Sequence, residues 1–352
     1  MLYDLKNLID KLYQESYLNF QEITFLLENL DEENKKYLFQ KSYSRRLENY
    51  GNTVFLRGLV EISSYCKMDC NYCGIRRSNR NAQRYRLTPE EILECCLKGY
   101  HLGFRTFVLQ GGEDLWFTDE KLISIIAKIR ENCPDAAITL SLGERTAESY
   151  QKLYRAGADR YLLRHETADE NLYHSLHPGM NFHHRRECLR NLKEIGFQTG
   201  AGFLIGLPGQ KVQDYAKDLL FLKELNPHMV GVGPFIPQKN TPLKDERGGD
   251  VETTLIMLAL VRLLLPHVLL PATTALGTID PQGREKGFRA GANVIMPNLS
   301  PFENRAKYAL YDGKKFQNDE AAEELQKIKE NIAAAGFLAV MERGDNISWK
   351  RK

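Results

Sequence analysis

The stretch "TVFLRGLVEISSYCKMDCNYCGIRR", Thr53 to Arg77, decides how the rest of the chain is read. Its first part, residues 53–63, is apolar and rich in β-branched side chains, the composition of a buried strand. Its second part sets Cys66, Cys70 and Cys73 within eight residues, where that strand would end. Similar short runs recur downstream: "TFVLQ" (106–110), "AITLSL" (137–142), "RYLLR" (160–164), "TGAGFLIG" (199–206), "MVGVG" (229–233), "LLPATT" (269–274) and "ANVIMP" (292–297). Amphipathic segments such as "TPEEILECCLKGYHLG" and "TDEKLISIIAKIREN" separate them. The first opens with Thr88 as N-cap, Pro89 at the first helical position and Glu91 completing a capping box. Gly103, Gly157, Gly196 and Gly291 each stand between a helix and the next strand, where a left-handed C-cap belongs.

Eight strand–helix units predict a parallel sheet closed into a (β/α)8 TIM-type barrel. An open doubly wound sheet suits less well, because no glycine fingerprint follows the first strand. The expected organisation is an N-terminal helical extension (1–50), the barrel (51–315), and a short C-terminal helix and tail (316–352) built on "DEAAEELQKIKENIAAAGFLAV".

Composition is that of an ordinary globular protein, 43% hydrophobic and 27% charged. A net charge of +2 predicts no pull toward nucleic acid or anionic membrane. The N-terminal "MLYDLKNLIDKLYQESY" mixes charged and apolar residues, unlike a targeting signal. The apolar "LIMLALVRLLL" (255–265) is interrupted by Arg262 and reads as a buried helix. Seven cysteines, an odd number, argue against a disulfide framework and for a reducing cytoplasm.

Active sites of such barrels lie at the C-terminal ends of the strands. There the sequence places the cysteine loop, Gln110-Gly111-Gly112-Glu113-Asp114, Thr139 and Ser141, Arg164-His165-Glu166, Thr273-Thr274 and Met296. Thiolates are soft ligands for iron–sulfur clusters, zinc or copper(I). Structural zinc takes four ligands, commonly as paired CxxC units, and no second pair is present. A cubane cluster has four irons, so three thiolates leave one iron open.

Cys66-x3-Cys70-x2-Cys73, with Tyr72 before the last cysteine, resembles the signature of radical S-adenosylmethionine (SAM) enzymes. Within that superfamily, "RYRLTPEEI", "LQGGED", "TLSLGE", "GADRYLLRHETA", "GAGFLIGLPGQ", "MVGVGPFIP", "PATTALGTI" and "GANVIMPN" resemble the HydE family of FeFe-hydrogenase maturases. The likeness runs from about residue 50 to 315 and is closer than that to biotin synthase or methylornithine synthase.

The resemblance implies one 4Fe-4S cluster on Cys66, Cys70 and Cys73. Members with an auxiliary cluster carry further cysteines near the C-terminus, and here none follows Cys188. It implies SAM contacts from Tyr72, Gly111, Gly112, Glu113, Ser141, Glu166 and Arg185. It implies a substrate cavity lined by Gln110, Thr139, Arg164, Thr273, Thr274 and Met296, closed by Tyr308 and Tyr311. The implied partners are a small-molecule or organometallic substrate, an electron donor such as ferredoxin or flavodoxin, and other hydrogenase maturases. Rival expectations are a mutase or sulfur-chemistry enzyme akin to methylornithine or biotin synthase, and a non-catalytic iron–sulfur scaffold.

Plainer roles are weighed beside these. Thr273 and Thr274 can be ordinary strand residues, and Arg164 and Glu166 a rim salt bridge. His165 alternates to the opposite face of its strand and reads as structural. "HHRREC" (183–188) reads as a solvated helix face, and Cys95 and Cys96 as packing residues.

Overall fold

The computed structural model describes residues 4–314 and 324–352. Three helices come first: α1 (Leu5–Glu15), α2 (Phe20–Asn29) and α3 (Glu32–Tyr50). Each opens on an Asp or Asn whose side chain accepts from an N-terminal backbone N–H. Then come β1 (Thr53–Leu56), β2 (Gly58–Ser63), α4 (Pro89–His101), β3 (Thr106–Gly111), α5 (Asp119–Asn132), β4 (Ala137–Ser141) and α6 (Ala147–Arg155). They are followed by β5 (Arg160–Leu162), α7 (Glu170–Leu176), α8 (Phe182–Ile195), β6 (Gln198–Ile205), α9 (Val212–Leu225), β7 (Met229–Pro234) and α10 (Val251–Leu264). The described chain ends with α11 (Thr274–Ile279), α12 (Gly283–Arg289), β8 (Val294–Ile295), α13 (Phe302–Arg305), α14 (Leu325–Ala334) and β9 (Leu338–Val340).

Strands β2 to β7 form one parallel sheet in sequence order, with Glu61, Gln110 and Ser141 side by side across three of them. Single parallel bridges carry the ring onward, Met229 to Leu269, Pro271 to Val294 and Leu59 to Asn298. The sheet thereby closes as a barrel with helices outside. The four glycines expected to end helices sit at φ between +102° and +116°, a region open to glycine without steric cost. The Thr88 capping box is present as read.

Three details depart from the sequence reading. The first strand breaks at Arg57: β1 pairs with β8 and β9, whereas β2 belongs to the main sheet. "LLPATT" contributes bridges at Leu269 and Pro271 and no regular strand. Pro271 has no N–H to give a ladder, and Thr273 already accepts from Leu276 N as the N-cap of α11. Thr273 and Thr274 are therefore helix-start residues and not strand residues. Thirdly, the C-terminal segment is more than a tail. β9 lies parallel to β1, and residues 343–349 seal the lower end of the barrel. Arg160 Nη2 meets Asp345 Oδ1 at 2.7 Å, Asn346 N donates to Gln198 Oε1 at 2.8 Å, and Trp349 Nε1 donates to Gly196 O at 2.9 Å. Residues 316–323, the start of the expected C-terminal helix, lie outside the described residues.

Among the described residues no helix is long and apolar enough to cross a membrane.

Candidate active site

The site is assembled at the upper rim, from the loops that follow the strands. A register shift between Glu61 and Ser63 ends β2 and turns the chain into the cysteine loop. Gly112 permits that loop's close seat, since a Cβ there would lie 2.2 Å from Tyr65 O and 2.7 Å from Cys66 Cβ. Cys66, Cys70 and Cys73 are free thiols and half-buried. Burial pushes the Cys73 thiol up to about 12, and the neighbouring Cys66 adds to the shift. Cys70 is raised well above its ordinary value for the same reasons. Without a bound cation these groups therefore rest as neutral thiols, and becoming thiolates needs a compensating positive charge. Among the described residues no three metal-ligating side chains converge as on a single ion. A cluster takes each thiolate on a separate iron, and an all-sulfur donor set on one loop fits that group.

Tyr72 lies beside the cysteines with its ring against Leu172, Leu176, Leu204, Leu207 and Phe235. Its hydroxyl is 3.0 Å from His177 Nε2. His177 Nδ1 lies 3.0 Å from Tyr173 O and must carry the proton there, so Nε2 accepts from Tyr72. Burial holds the imidazole neutral, with its pKa down to about 3. Tyr72 therefore presents a fixed ring edge in an apolar pocket, the setting an aromatic base requires.

Glu113 is half-buried against Gly143, which stands at φ +76° and has no room for a side chain, since a Cβ would lie 2.0 Å from Glu113 Cγ. Glu113 Oε1 accepts from Glu144 N at 3.0 Å, while Oε2 is buried without a hydrogen bond. Burial raises the Glu113 carboxyl above its ordinary range, despite the nearby Arg185. Arg185, buried on α8, sits 2.7 Å from Glu144 Oε1 and 4.0 Å from Glu113 Oε1. Burial opposes its charge, but Glu144, Tyr173 and Glu113 outweigh that and keep it cationic. Glu144 and His177 escaped the sequence reading. Glu144 lies in "TLSLGE", but nothing local shows that it meets a residue 41 positions away.

Glu166 stands at φ +67°, in the left-handed region, and pairs with Arg164 at 3.2 Å. Its Oε2 is buried and unbonded. Both the rim salt bridge and an unused acceptor are thus present. Behind them, His165 faces away and meets Asp218 Oδ1 at 3.2 Å among Phe203 and Phe221.

Inside the barrel, Gln110 donates to Tyr308 Oη at 3.4 Å, and Thr139 is buried with an unbonded hydroxyl. Ser141 is half-buried next to Gln110 in register. A Cβ on Gly231 would touch Arg164 Cδ at 3.6 Å, and Thr273 Oγ1 lies 3.0 Å from where a Cβ on Gly233 would stand. Thr274 is half-buried, one residue into α11. Met296 is lower, packed against Tyr50, Phe55, Met229, Leu269 and Val294 as an apolar floor. Tyr308 is buried and Tyr311 half-buried on the segment that crosses the rim, where Gly74 N donates to Leu310 O at 2.8 Å. That segment also brings Lys314 to 2.5 Å from Glu61, a buried pair absent from the sequence reading. His183 and His184 are largely exposed, while Cys95 and Cys96 pack in the core.

Residues 60–222 match the model of the Radical SAM superfamily. The chain is 50% identical, over 277 residues, to the FeFe-hydrogenase maturase subunit HydE of Thermotoga maritima, covering 79% of each chain. This chain belongs to the HydE family of radical SAM enzymes. It is also 32% identical over 312 residues to 3-methylornithine synthase of Methanosarcina acetivorans, 87% of each chain. The solved structure of methylornithine synthase (PylB) superposes with a TM-score of 0.82 at 27% identity, over 95% of this chain and 97% of that one. Membership of the HydE family makes the chain an enzyme and implies an iron–sulfur cluster, SAM, a small-molecule substrate and a reductant.

Proposed function

We propose that this enzyme acts, as its HydE relatives are named for, in maturation of FeFe-hydrogenase. Its substrate would be a cysteine-bound iron carbonyl cyanide complex supplied by a tyrosine-lyase maturase, on the way to the di-iron subsite. The observation that carries the site reading is the pair of buried carboxylate oxygens without a hydrogen bond, Glu113 Oε2 and Glu166 Oε2, at the same end of the barrel as a loop of three free thiols. Buried acceptors without donors are costly, and a ligand rich in N–H and O–H groups relieves them.

Cys66, Cys70 and Cys73 would hold one 4Fe-4S cluster. When bound, that cluster supplies the electron that cleaves SAM to a 5′-deoxyadenosyl radical. Glu113 would accept from the SAM amino group and Arg185 would bind its carboxylate bidentately. Gly111 and Gly112 let the backbone approach. Glu166 would take the ribose hydroxyls, Tyr72 the adenine edge, and Ser141 a further SAM contact. Arg164, Gln110, Thr139, Thr273, Thr274 and Met296 would line the substrate space, with Tyr308 and Tyr311 above it. The closed floor and the rim segment exclude water from a reactive intermediate. The reductant would be a ferredoxin or flavodoxin, the setting cytoplasmic, and other hydrogenase maturases the functional neighbours.

The test is anaerobic reconstitution with iron, sulfide, SAM and dithionite. Release of 5′-deoxyadenosine, stimulated by the iron carbonyl cyanide complex, is the expected result; a cluster that passes to an acceptor protein without that product sinks the reading in favour of a scaffold. A second reading rests on the 32% identity to methylornithine synthase, and rearrangement of lysine in the same assay would establish it.

A further inference from the structure

The loop between β2 and α4 carries a charge that the rest of the chain does not. Residues 64–86 hold six cations, Lys67, Arg76, Arg77, Arg80, Arg84 and Arg86, and one carboxylate, Asp69, in a chain whose net charge is only +2. The single carboxylate is used internally: Asp69 Oδ1 pairs with Arg76 Nε at 2.8 Å and accepts from Ser78 N at 3.0 Å. Lys67 approaches Glu113 at 3.5 Å and Arg86 grips Asp114 at 2.6 and 3.0 Å. Among the described residues Arg84 meets no carboxylate. It donates to the carbonyls of Ser64, Ile75, Arg76 and Asn79, tying both ends of the cysteine loop together. Arg77 and Arg80 are exposed, and among the described residues neither forms an ion pair.

These two arginines do little for the thiolates, because exposed charges are screened by solvent and salt. Arg84 is the better placed for that task. What Arg77 and Arg80 do is set a positive field over the surface of the one loop that reads as redox-active. The loop and its surroundings also carry exposed apolar surface. Tyr65, next to Cys66, is 37% exposed under the Arg86 guanidinium, 3.7 Å above its ring, and Leu115 nearby is 74% exposed. An apolar centre with a charged rim is the make-up of a transient protein interface. A one-signed rim steers an oppositely charged partner and accelerates encounter. On the neighbouring 239–247 segment, joined by the Asn81–Asn240 hydrogen bond of 3.0 Å, exposed Lys244 and Arg247 stand beside exposed Asp245 and Glu246, so the bias ends there.

We propose that the exposed surface of residues 65–86, with the cations Arg77 and Arg80 and the exposed ring of Tyr65, docks an acidic one-electron carrier protein. The inference rests on the radical SAM reading of the cysteine loop. In the step, the carrier is oxidised by one electron and the group held by the three thiolates is reduced by one; no bond forms or breaks.

The experiment compares the reconstituted wild type with an Arg77→Glu/Arg80→Glu variant, using flavodoxin, an acidic flavoprotein, as probe. Affinity for oxidised flavodoxin, measured by calorimetry at low ionic strength, should fall about tenfold in the variant. 5′-Deoxyadenosine formation driven by reduced flavodoxin should fall comparably, whereas formation driven by dithionite should not change. High salt should bring the wild type down to the variant. Arg77→Gln/Arg80→Gln should lie between the two. Unchanged flavodoxin affinity overturns the proposal. So does equal loss with dithionite, which would assign both arginines to the site itself, and so does a wild type that holds single-stranded RNA but not flavodoxin. A wild type inert even with dithionite would strike the radical SAM reading instead, while the calorimetric arm still decides the docking.

Discussion

At the lower end of the barrel Arg160 meets Asp345 at 2.7 Å, and Asn346 donates to the carbonyls of His228 and His267 at 3.0 and 2.6 Å. At the upper end Glu113 and Glu166 each keep a buried oxygen without a hydrogen bond. One end is closed by its own chain. The other retains buried acceptors to which the chain gives no hydrogen bond. Burying a polar atom without a partner costs about 1–3 kcal/mol, so the asymmetry marks where stability has been given up for binding. The lower end has leftovers as well, Arg57 Nε and Arg160 Nε, but these are donors.

The comparison can be broken in four places. Cys70→Ala should give the largest effect: loss of the brown cluster absorbance and of all SAM cleavage, with the fold intact by circular dichroism. Retained cleavage would refute the cluster assignment. Asp345→Ala, at the other end, should leave Arg160 buried and uncompensated and cost about 3 kcal/mol in urea unfolding. SAM cleavage per folded molecule should be unchanged; a loss of activity would mean that the two ends are not separable.

His177 provides a pH signature of the upper end. Its folded pKa is about 3, against about 6.5 for an unfolded histidine. Below pH 6.5 the unfolded chain takes a proton that the folded chain refuses, so stability falls as pH falls through that window. At pH 5 the loss from this group is about 2 kcal/mol. His177→Gln keeps an acceptor for Tyr72 and should flatten that slope between pH 7 and 5; an unaltered slope would place the titration elsewhere. Smallest, Arg185→Ala should weaken SAM binding about tenfold, or about 1.4 kcal/mol, with the iron content unchanged. If SAM affinity is the same, Arg185 serves only Glu144.

Much of this was legible before any coordinates. Strand–helix alternation gave the barrel, because each unit carries its own apolar run and cap. The cysteine spacing gave the centre, because three soft ligands on one loop have few other uses. What remained hidden depends on distant meetings. Glu144 is informative only beside Arg185, Asp345 only beside Arg160, and Lys314 only beside Glu61. The misread seventh strand has a local cause. Pro271 removes a ladder donor inside an apolar run, and periodicity alone does not weigh that.

The pairing of β9 with β1 also has a bearing on synthesis. Thr53 leaves the ribosome long before its partner Leu338. At about 5–20 residues per second, the interval is roughly 15–60 s. Late in it, once β8 has been made, the ring of strands stands with its base uncovered and its three thiols already made. The last strand then acts as a timing device: it decides when the interior ceases to be open to the cell.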